Sequence, residues 1–278
     1  MRHLISAWPE VAERLSKSKH ILLLVDYDGT LTPIVETPDL AHLPAETRRV
    51  LEALSQSRRF TIGIISGREL CDIKNKVGLP NIIYVGNHGM EIEEVPGIVS
   101  INPSAEKARS KLSDLHRKLA EALGSIEGVL VENKGVSLSV HYRLVNEQMV
   151  PEVKRTFDRI VSAAQTSGDI RVTFGKKVYE VRPSIALDKG WAVNMLIEKH
   201  KTSALNKDLL SIYIGDDQTD EDAFRVINRY NSSMSIFVGQ LETGLDSQAQ
   251  YFLNSPVEVT EFLKMLSKEE TGGFLPSL

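Results

Sequence analysis

Two aspartates that could carry out phosphoryl transfer lie in the string DYDGT, residues 26–30. Asp26 and Asp28 follow the apolar run ILLLV, so alternation at a strand end can bring one carboxylate to a metal and the other to a reacting group. Two carboxylates this close resist joint ionisation unless a cation lies between them or one keeps a proton. One of them could attack phosphorus while the other, protonated, supplies the leaving group with its proton. Taken alone, the pair fits a turn or a helix cap at least as well.

Further groups that suit the same chemistry follow other predicted strands or begin predicted helices. Ser66 and Gly67 offer a hydroxyl and an amide to a phosphate oxygen, and Lys189 offers a fixed positive charge. Asp216 and Asp217 offer the hard oxygen ligands that Mg²⁺ prefers. Each feature alone has a common structural explanation, as a turn, a solvated lysine or a helix cap. Their joint occurrence at strand ends and helix starts is what a phosphoryl-transfer site requires.

Alternation of apolar strands with helices predicts the elements that bring these groups together. The predicted strands and helices of this type are 21–25, 44–57, 60–65, 82–85, 188–200, 209–215, 221–228, 233–238, 249–253 and 257–269. Such an order predicts an α/β fold with a doubly wound parallel sheet, in which ligands bind beyond the carboxyl ends of the strands. An amphipathic helix is also predicted near the N-terminus, and Pro9 confines it to the later part of residues 4–15. The tail 271–278 is expected to be mobile.

The pattern changes within residues 93–183, where a helix precedes two strands and a second helix precedes two more. Period-two alternation predicts antiparallel strands here, and Gly175 predicts a hairpin turn. The sequence therefore predicts an inserted α+β cap domain at 93–183. The remaining residues, 1–92 and 184–278, form the predicted core domain.

Composition excludes several classes of protein. Of 278 residues, 42% are hydrophobic and 25% are charged, which is typical of a globular chain rather than a disordered one. The net charge of −4 provides no basic field, so nucleic acid is not an expected partner. No apolar run approaches the roughly 20 residues that span a bilayer. A single cysteine, Cys71, forms no internal disulfide, and together these features favour a cytoplasmic protein without a membrane partner.

The motifs resemble, in order, those of the haloacid dehalogenase superfamily of phosphatases: DYDGT, SGR, the lysine of DKG, and GDD. The resemblance implies that Asp26 is the nucleophile and that Asp28 is the general acid and then the general base. It implies a Mg²⁺ cofactor whose ligands are Asp26, the backbone carbonyl of Asp28 and Asp216, with Asp217 and Asp220 close by. The phosphate-binding residues that it implies are Tyr27, Gly29, Ser66, Gly67 and Lys189.

A closer resemblance is to the trehalose-6-phosphate phosphatase family, through the strings DYDGTLTPI, ISGR, GNHGME, VENKGVSLSVHYR, VYEVRP and GDDQTDEDAF. It implies that the phosphosugar substrate is trehalose 6-phosphate. The implied sugar-binding residues are Asn87, His88 and Glu91 in the core and Glu132, Lys134 and Glu180 in the cap, with Arg143 and Arg182 as weaker candidates. From the residues alone, Glu132 and Lys134 could equally belong to a solvated hairpin turn, His88 could be a core histidine, and Glu180 could be an exposed strand residue.

Other functions remain open at the level of sequence. A related sugar phosphatase acting on sucrose phosphate or a glycosyl phosphoglycerate would carry the same core motifs, and a mutase would pass the phosphoryl group to a sugar hydroxyl. A non-catalytic phosphosugar sensor would be expected to lack Asp26, Asp28 or the metal-binding acids, all of which are present. A trehalose-phosphate synthase partner, if one docks, is expected to be a separate chain.

Overall fold

The computed structural model describes residues 1–185, 187–202, 208–240 and 247–270. Within those residues the helices are α1 Trp8–Ser16, α2 Ala45–Gln56, α3 Leu70–Val77, α4 Pro103–Leu123, α5 Val150–Thr166, α6 Lys189–Lys201, α7 Asp220–Ile227 and α8 Pro256–Glu270. The strands are β1 Arg2–His3, β2 His20–Val25, β3 Phe60–Ile65, β4 Ile83–Gly86, β5 Glu91–Val95, β6 Ile98–Ile101, β7 Leu130–Asn133, β8 Leu138–His141, β9 Ile170–Gly175, β10 Val178–Pro183, β11 Leu209–Gly215, β12 Ser233–Val238 and β13 Tyr251–Leu253. The predicted tail 271–278 lies outside the described residues. No helix in the described ranges combines the length and the apolar character needed to cross a membrane.

The first compact unit comprises Met1–Val99 and Leu187–Leu278. Its sheet has the strand order β1-β13-β12-β11-β2-β3-β4-β5-β6, and β2, β3, β4, β11, β12 and β13 pair in parallel. The predicted doubly wound α/β core is therefore confirmed. The sheet is not parallel throughout, because β5 pairs with β4 in the antiparallel sense.

Strand β2 shows why the sheet forms at the centre of this unit. Leu22 and Leu24 belong to one buried apolar cluster, whereas Leu23 and Val25 belong to another. Because successive side chains of a strand point to opposite faces, the two clusters lie on the two faces of the sheet. Full burial of each such side chain stabilises the fold by about 1.5–3 kcal/mol. A wholly apolar run at this position therefore produces a central strand that is covered on both faces.

The second compact unit, Ser100–Ala186, contains an antiparallel sheet with the order β7-β8-β10-β9. Helices α4 and α5 share an apolar cluster with this sheet that includes Leu119, Phe157 and Val181. The predicted hairpin is present, since Gly175 pairs with Val178 and the turn residue Lys177 has a φ of 66°.

The limits of this unit differ slightly from the predicted limits of the insert, 93 and 183. The chain first completes β5 and the first half of β6, which extend the core sheet, before the second unit begins. A polar, partly exposed hairpin at a sheet edge gives no sequence signal for the sheet to which it belongs, so the ends of the compact unit and of the predicted insert differ by a few residues.

Candidate active site

The carboxyl ends of β11, β2, β3 and β4 lie side by side in the sheet, and the motif residues follow them directly. Asp26 follows β2, Ser66 follows β3, Asn87 follows β4 and Asp216 follows β11. Lys189 comes from outside the sheet, at the first turn of α6. The Asp188 side chain accepts a hydrogen bond from the Trp191 amide at 2.8 Å and so caps that helix.

The Lys189 ammonium joins two buried carboxylates. Its Nζ donates to Asp26 Oδ1 at 2.8 Å and to Asp220 Oδ1 at 2.8 Å, and the Lys189 side chain is 3% exposed. Burial opposes a charged lysine, but the carboxylates of Asp220 and Asp26 raise its pKa well above the ordinary value. Burial also raises the pKa of Asp26, and the acids at 220, 216 and 217 add to that rise. One lysine ammonium therefore lies between two buried carboxyl groups.

Asp220 orders the loop that follows β11. Its Oδ2 accepts hydrogen bonds from the Asp216 amide at 2.9 Å and the Asp217 amide at 3.0 Å. Its Oδ1 accepts from the Tyr213 hydroxyl at 2.6 Å, in addition to Lys189. Burial raises the pKa of Asp220 to about 6 in the face of these stabilising contacts. Asp220 thus fixes the direction in which Asp216 leaves the strand.

An arrangement suited to a divalent cation is present where these acids meet. Carboxylate oxygens of Asp26, Asp216 and Asp220 lie within 4.8 Å of one another. A Cβ added at Gly29 would come within 2.6 Å of Asp216 Oδ1 and still closer to Oδ2, so the close approach of this carboxylate depends on the glycine. Carboxylate oxygens are the hard ligands that divalent cations such as Mg²⁺ prefer, and both oxygens of Asp220 also accept hydrogen bonds that order the loop.

Asp217 lies beside this group, but its carboxylate has another partner. Its Oδ1 accepts from the amide of Thr219 at 2.8 Å and from the Thr219 hydroxyl at 2.7 Å, at the start of α7. Burial works against ionisation here, yet Lys189 and the Thr219 hydrogen bond lower the pKa of Asp217. Asp217 therefore orders the turn that precedes α7, next to the acidic group.

Asp28 forms a two-point ion pair with Arg68. Arg68 Nε donates to Asp28 Oδ2 and Arg68 Nη2 donates to Asp28 Oδ1, both at 2.7 Å. The same guanidinium donates to Asp72 Oδ2 at 2.7 Å and to the Pro38 carbonyl at 2.9 Å. Burial opposes the charge of Arg68, but these acids raise its pKa above the ordinary value. This role of Arg68 was not predicted from the sequence, although Arg68 is the arginine of the SGR motif.

Ser66, Gly67 and His88 meet where β3 and β4 end. The His88 amide donates to the Ser66 carbonyl at 2.9 Å, and the Arg68 amide donates to Ser66 Oγ at 3.1 Å. A Cβ on Gly67 would lie 2.6 Å from Cε1 of the His88 ring. His88 has a φ of 55°, in the left-handed region that few residues other than glycine adopt. Gly67 thus leaves room for a histidine that the backbone directs toward it.

The side chains of Asn87, Glu91 and Tyr27 make contacts within the core unit. Asn87 Nδ2 donates to Glu91 Oε2 at 2.6 Å, and the same oxygen accepts from the Leu70 amide at 3.3 Å at the start of α3. The Tyr27 hydroxyl donates to the Ala41 carbonyl at 3.3 Å, and its ring is fully buried. These contacts order the loops around the site.

A second polar group lies on the sheet of the second unit. Glu132 and Glu180 both pair with Ser139 across β8, so the two acids share one face of that sheet. Lys134 Nζ lies 3.7 Å from Glu180 Oε1 and 3.8 Å from Glu132 Oε2, and the Lys134 side chain is 10% exposed.

Two basic residues flank this pair of acids. Arg182 Nε donates to Glu180 Oε2 at 2.9 Å, and His141 Nε2 lies 3.0 Å from Glu132 Oε2. Arg143, by contrast, donates to the Lys176 carbonyl at the exposed hairpin turn. The structure thus assembles Glu132, Lys134, Glu180 and Arg182 into one buried or half-buried array of charged donors and acceptors.

Comparison with known proteins identifies relatives that match most of this chain. A family model described as trehalose-phosphatase matches residues 24–257. A probable trehalose-phosphate phosphatase D from Arabidopsis thaliana is 36% identical over 270 residues, covering 94% of this chain and 71% of the relative. A trehalose 6-phosphate phosphatase from Zea mays is 34% identical over 267 residues, covering 92% of this chain and 72% of the relative.

Solved structures agree with these matches. The C-terminal domain of a trehalose-6-phosphate phosphatase from C. albicans superposes with a TM-score of 0.79 at 26% identity, covering 94% of this chain and 97% of that domain. The C-terminal domain of a trehalose synthase regulatory protein from Candida albicans superposes with a TM-score of 0.69 at 13% identity, covering 93% and 97%. The second likeness concerns the fold alone.

Proposed function

The chain belongs to the trehalose-phosphatase family, and on that basis we propose that it hydrolyses trehalose 6-phosphate to trehalose and phosphate with the help of Mg²⁺. The observation that supports this most strongly is the buried Lys189–Asp26 ion pair beside the Asp216 carboxylate. A nucleophilic carboxylate, a fixed positive charge and a further hard oxygen ligand are the groups that phosphoryl transfer through an aspartyl phosphate needs.

In the first step a carboxylate oxygen of Asp26 forms a bond to phosphorus while the bond from phosphorus to the sugar oxygen breaks. The departing sugar oxygen takes a proton from Asp28, which must be protonated for this step. Both Asp28 oxygens accept from Arg68 in the structure, so the proposal requires at least one of them to leave Arg68 when the proton is delivered. The products are an aspartyl phosphate at position 26 and free trehalose.

In the second step Asp28, now a carboxylate, takes a proton from a water molecule whose oxygen attacks phosphorus. The Asp26–phosphorus bond breaks, and Asp26 is regenerated as phosphate leaves. The two-point contact with Arg68 orients the Asp28 carboxylate in the structure.

The phosphoryl oxygens require donors and positive charge. Lys189, Ser66 and the backbone amides around Gly29 and Gly67 are the groups that we propose to hold them, and any contribution from Tyr27 comes from its backbone, because its side chain is buried. Mg²⁺ would be held by Asp26, Asp216 and the carbonyl of Asp28, with Asp217 nearby. When bound, it offsets negative charge on the phosphoryl oxygens.

The sugar requires many hydrogen-bonding groups, because a disaccharide presents a dense array of hydroxyls. We propose that Glu132, Lys134 and Glu180 bind those hydroxyls, since they form one array of donors and acceptors on the insert sheet. His88 is proposed as a further contact. Asn87 and Glu91 are proposed to act mainly by holding the loop that carries His88, because their amide and carboxylate bind each other.

Phosphate release from a panel of substrates tests this proposal. The panel contains trehalose 6-phosphate, sucrose 6-phosphate, glucose 6-phosphate and a glycosyl phosphoglycerate, each assayed with Mg²⁺ and with a chelator. A strong preference for trehalose 6-phosphate that the chelator abolishes supports the proposal. Preference for another member would overturn the assignment of the sugar but not of the chemistry, whereas release from none would favour a phosphosugar sensor.

Location and partners form part of the same proposal. We propose that the protein acts in the cytoplasm on the product of a trehalose-phosphate synthase carried by a separate chain. Cell fractionation tests the location, and co-purification with the synthase tests whether the two proteins bind each other or share only the metabolite.

A further inference from the structure

Tyr213 lies in the middle of β11 and is fully buried. Its ring contacts Phe224 edge-on, with a centroid distance of 5.8 Å, in the apolar cluster on one face of the core sheet. Its hydroxyl leaves that cluster and donates to Asp220 Oδ1 at 2.6 Å. The residue therefore joins an apolar core to the charged group of the site through a single oxygen atom.

The contacts of Asp220 extend this link to the proposed nucleophile. Its Oδ1 receives hydrogen bonds from both the Tyr213 hydroxyl and the Lys189 ammonium, and the same ammonium donates to Asp26 Oδ1. A continuous series of hydrogen bonds thus runs from Tyr213 through Asp220 and Lys189 to Asp26. Each of these side chains is at most 5% exposed, so water offers little competition for the contacts.

We propose that Tyr213 is a positioning residue that fixes the Lys189 ammonium through Asp220. The proposal rests on the function proposed above and assigns a role to a residue outside its motifs. When the Asp26 oxygen bonds to phosphorus, it becomes a weaker partner for Lys189, and Asp220 is left as the acceptor that holds the ammonium. The Asp216 and Asp217 amides hold Oδ2 of Asp220, and the Tyr213 hydroxyl holds Oδ1, the oxygen that accepts from Lys189. Tyr213 thereby helps to fix where the positive charge is held during transfer.

A purely structural role makes a different prediction. If the Tyr213 hydroxyl only satisfies its own hydrogen-bonding need, its removal lowers stability and leaves turnover unchanged. Tyr213→Phe is suited to this test because it removes one oxygen and retains the packed ring. Tyr251→Phe is a matched control, because the Tyr251 hydroxyl donates to the Glu10 carboxylate at 2.7 Å in the same sheet but outside the site.

The experiment compares wild type, Tyr213→Phe and Tyr251→Phe in kcat, KM and melting temperature with trehalose 6-phosphate. We expect kcat of Tyr213→Phe to fall roughly tenfold, the effect expected for one hydrogen bond to a charged group, with KM changed less than about twofold. We expect Tyr251→Phe to keep the wild-type kcat. Equal kcat for the wild type and Tyr213→Phe would overturn the inference.

A crystal structure of Tyr213→Phe tests the same inference without reference to activity. We expect the Lys189 Nζ to move away from Asp26 Oδ1, while the backbone of β11 stays in place. A Lys189 ammonium in its original position would overturn the inference even if the wild type hydrolysed trehalose 6-phosphate. Conversely, a wild type inactive on that substrate would refute the proposed function, and the position of Lys189 would still decide the role of Tyr213.

Discussion

Replacement of Gly29 by alanine tests whether the Asp216 carboxylate must approach the DYDGT turn. Gly29 has a φ of 87°, and an added Cβ would overlap the Asp216 carboxylate. The substitution therefore has two effects. It forces an L-residue into a disfavoured backbone conformation, and it creates a steric conflict with a proposed metal ligand. Gly97→Ala is a matched control, because Gly97 has a φ of 82° and no atom within 4 Å of its added Cβ.

The two effects differ in size and are measured differently, the first as a loss of stability and the second as a loss of activity. The backbone conformation costs about 1–2 kcal/mol of folding free energy in either variant. For a chain of this size each kcal/mol lowers the melting temperature by about 2–4 °C. Displacement of Asp216 occurs only in Gly29→Ala. Since loss of even an outer contact of a metal site costs about 10–100-fold in affinity or activity, we expect this variant to lose at least about 100-fold in kcat/KM.

The assay measures melting temperature, kcat/KM for trehalose 6-phosphate and the Mg²⁺ concentration that gives half-maximal rate. Both variants should melt at lower temperature, whereas only Gly29→Ala should lose activity and require more Mg²⁺. If Gly29→Ala has the same activity as Gly97→Ala at saturating Mg²⁺, the reasoning about Asp216 is wrong.

Three further predictions follow from the same contacts. Asp26→Asn should abolish turnover while circular dichroism shows an intact fold, and full activity in this variant would refute the mechanism. Glu180→Ala should lower kcat/KM for trehalose 6-phosphate by about 10–200-fold but leave p-nitrophenyl phosphate, which has no sugar, unaffected. The Lys74 ammonium lowers the pKa of the buried Glu93 carboxyl, a contact that stabilises the fold above the ordinary glutamate pKa and is lost as the pH falls. Lys74→Met should thus lower unfolding free energy by about 1 kcal/mol at pH 7 and by less at pH 4, as measured with urea; an equal loss at both pH values would contradict this.

The core fold could be predicted because its parallel strands are largely apolar and most of its helices carry one apolar stripe. The apolar run at β2 provides buried side chains on both faces of the sheet, and such a run is typical of a central strand covered on both sides. The exact start of the insert could not be predicted, since β5 and β6 are polar or exposed and their pairing with the core sheet depends on tertiary contacts. Local pattern contains no information about such pairing.

Two residues of the candidate site could be predicted from residue type and position, namely Asp26 at the end of a strand and Lys189 at the start of a helix. A carboxylate and an ammonium at such positions are typical of a phosphoryl-transfer site. Arg68 was overlooked because its partner, Asp28, lies forty residues earlier in the chain, and only folding brings the two together. Tyr213 gave no signal, since a tyrosine within an apolar strand is typical of a core position. Residues that position a catalytic side chain are therefore harder to find from sequence than the catalytic residues themselves.

Chemical trapping of the intermediate tests the central claim most directly. Borohydride reduces an aspartyl phosphate to homoserine, so the enzyme is mixed with trehalose 6-phosphate and Mg²⁺, quenched, reduced, digested and examined by mass spectrometry. We predict homoserine at position 26, and none there in Asp26→Asn or without substrate. Rapid release of phosphate with unmodified Asp26, or with the label at another residue, would contradict the account.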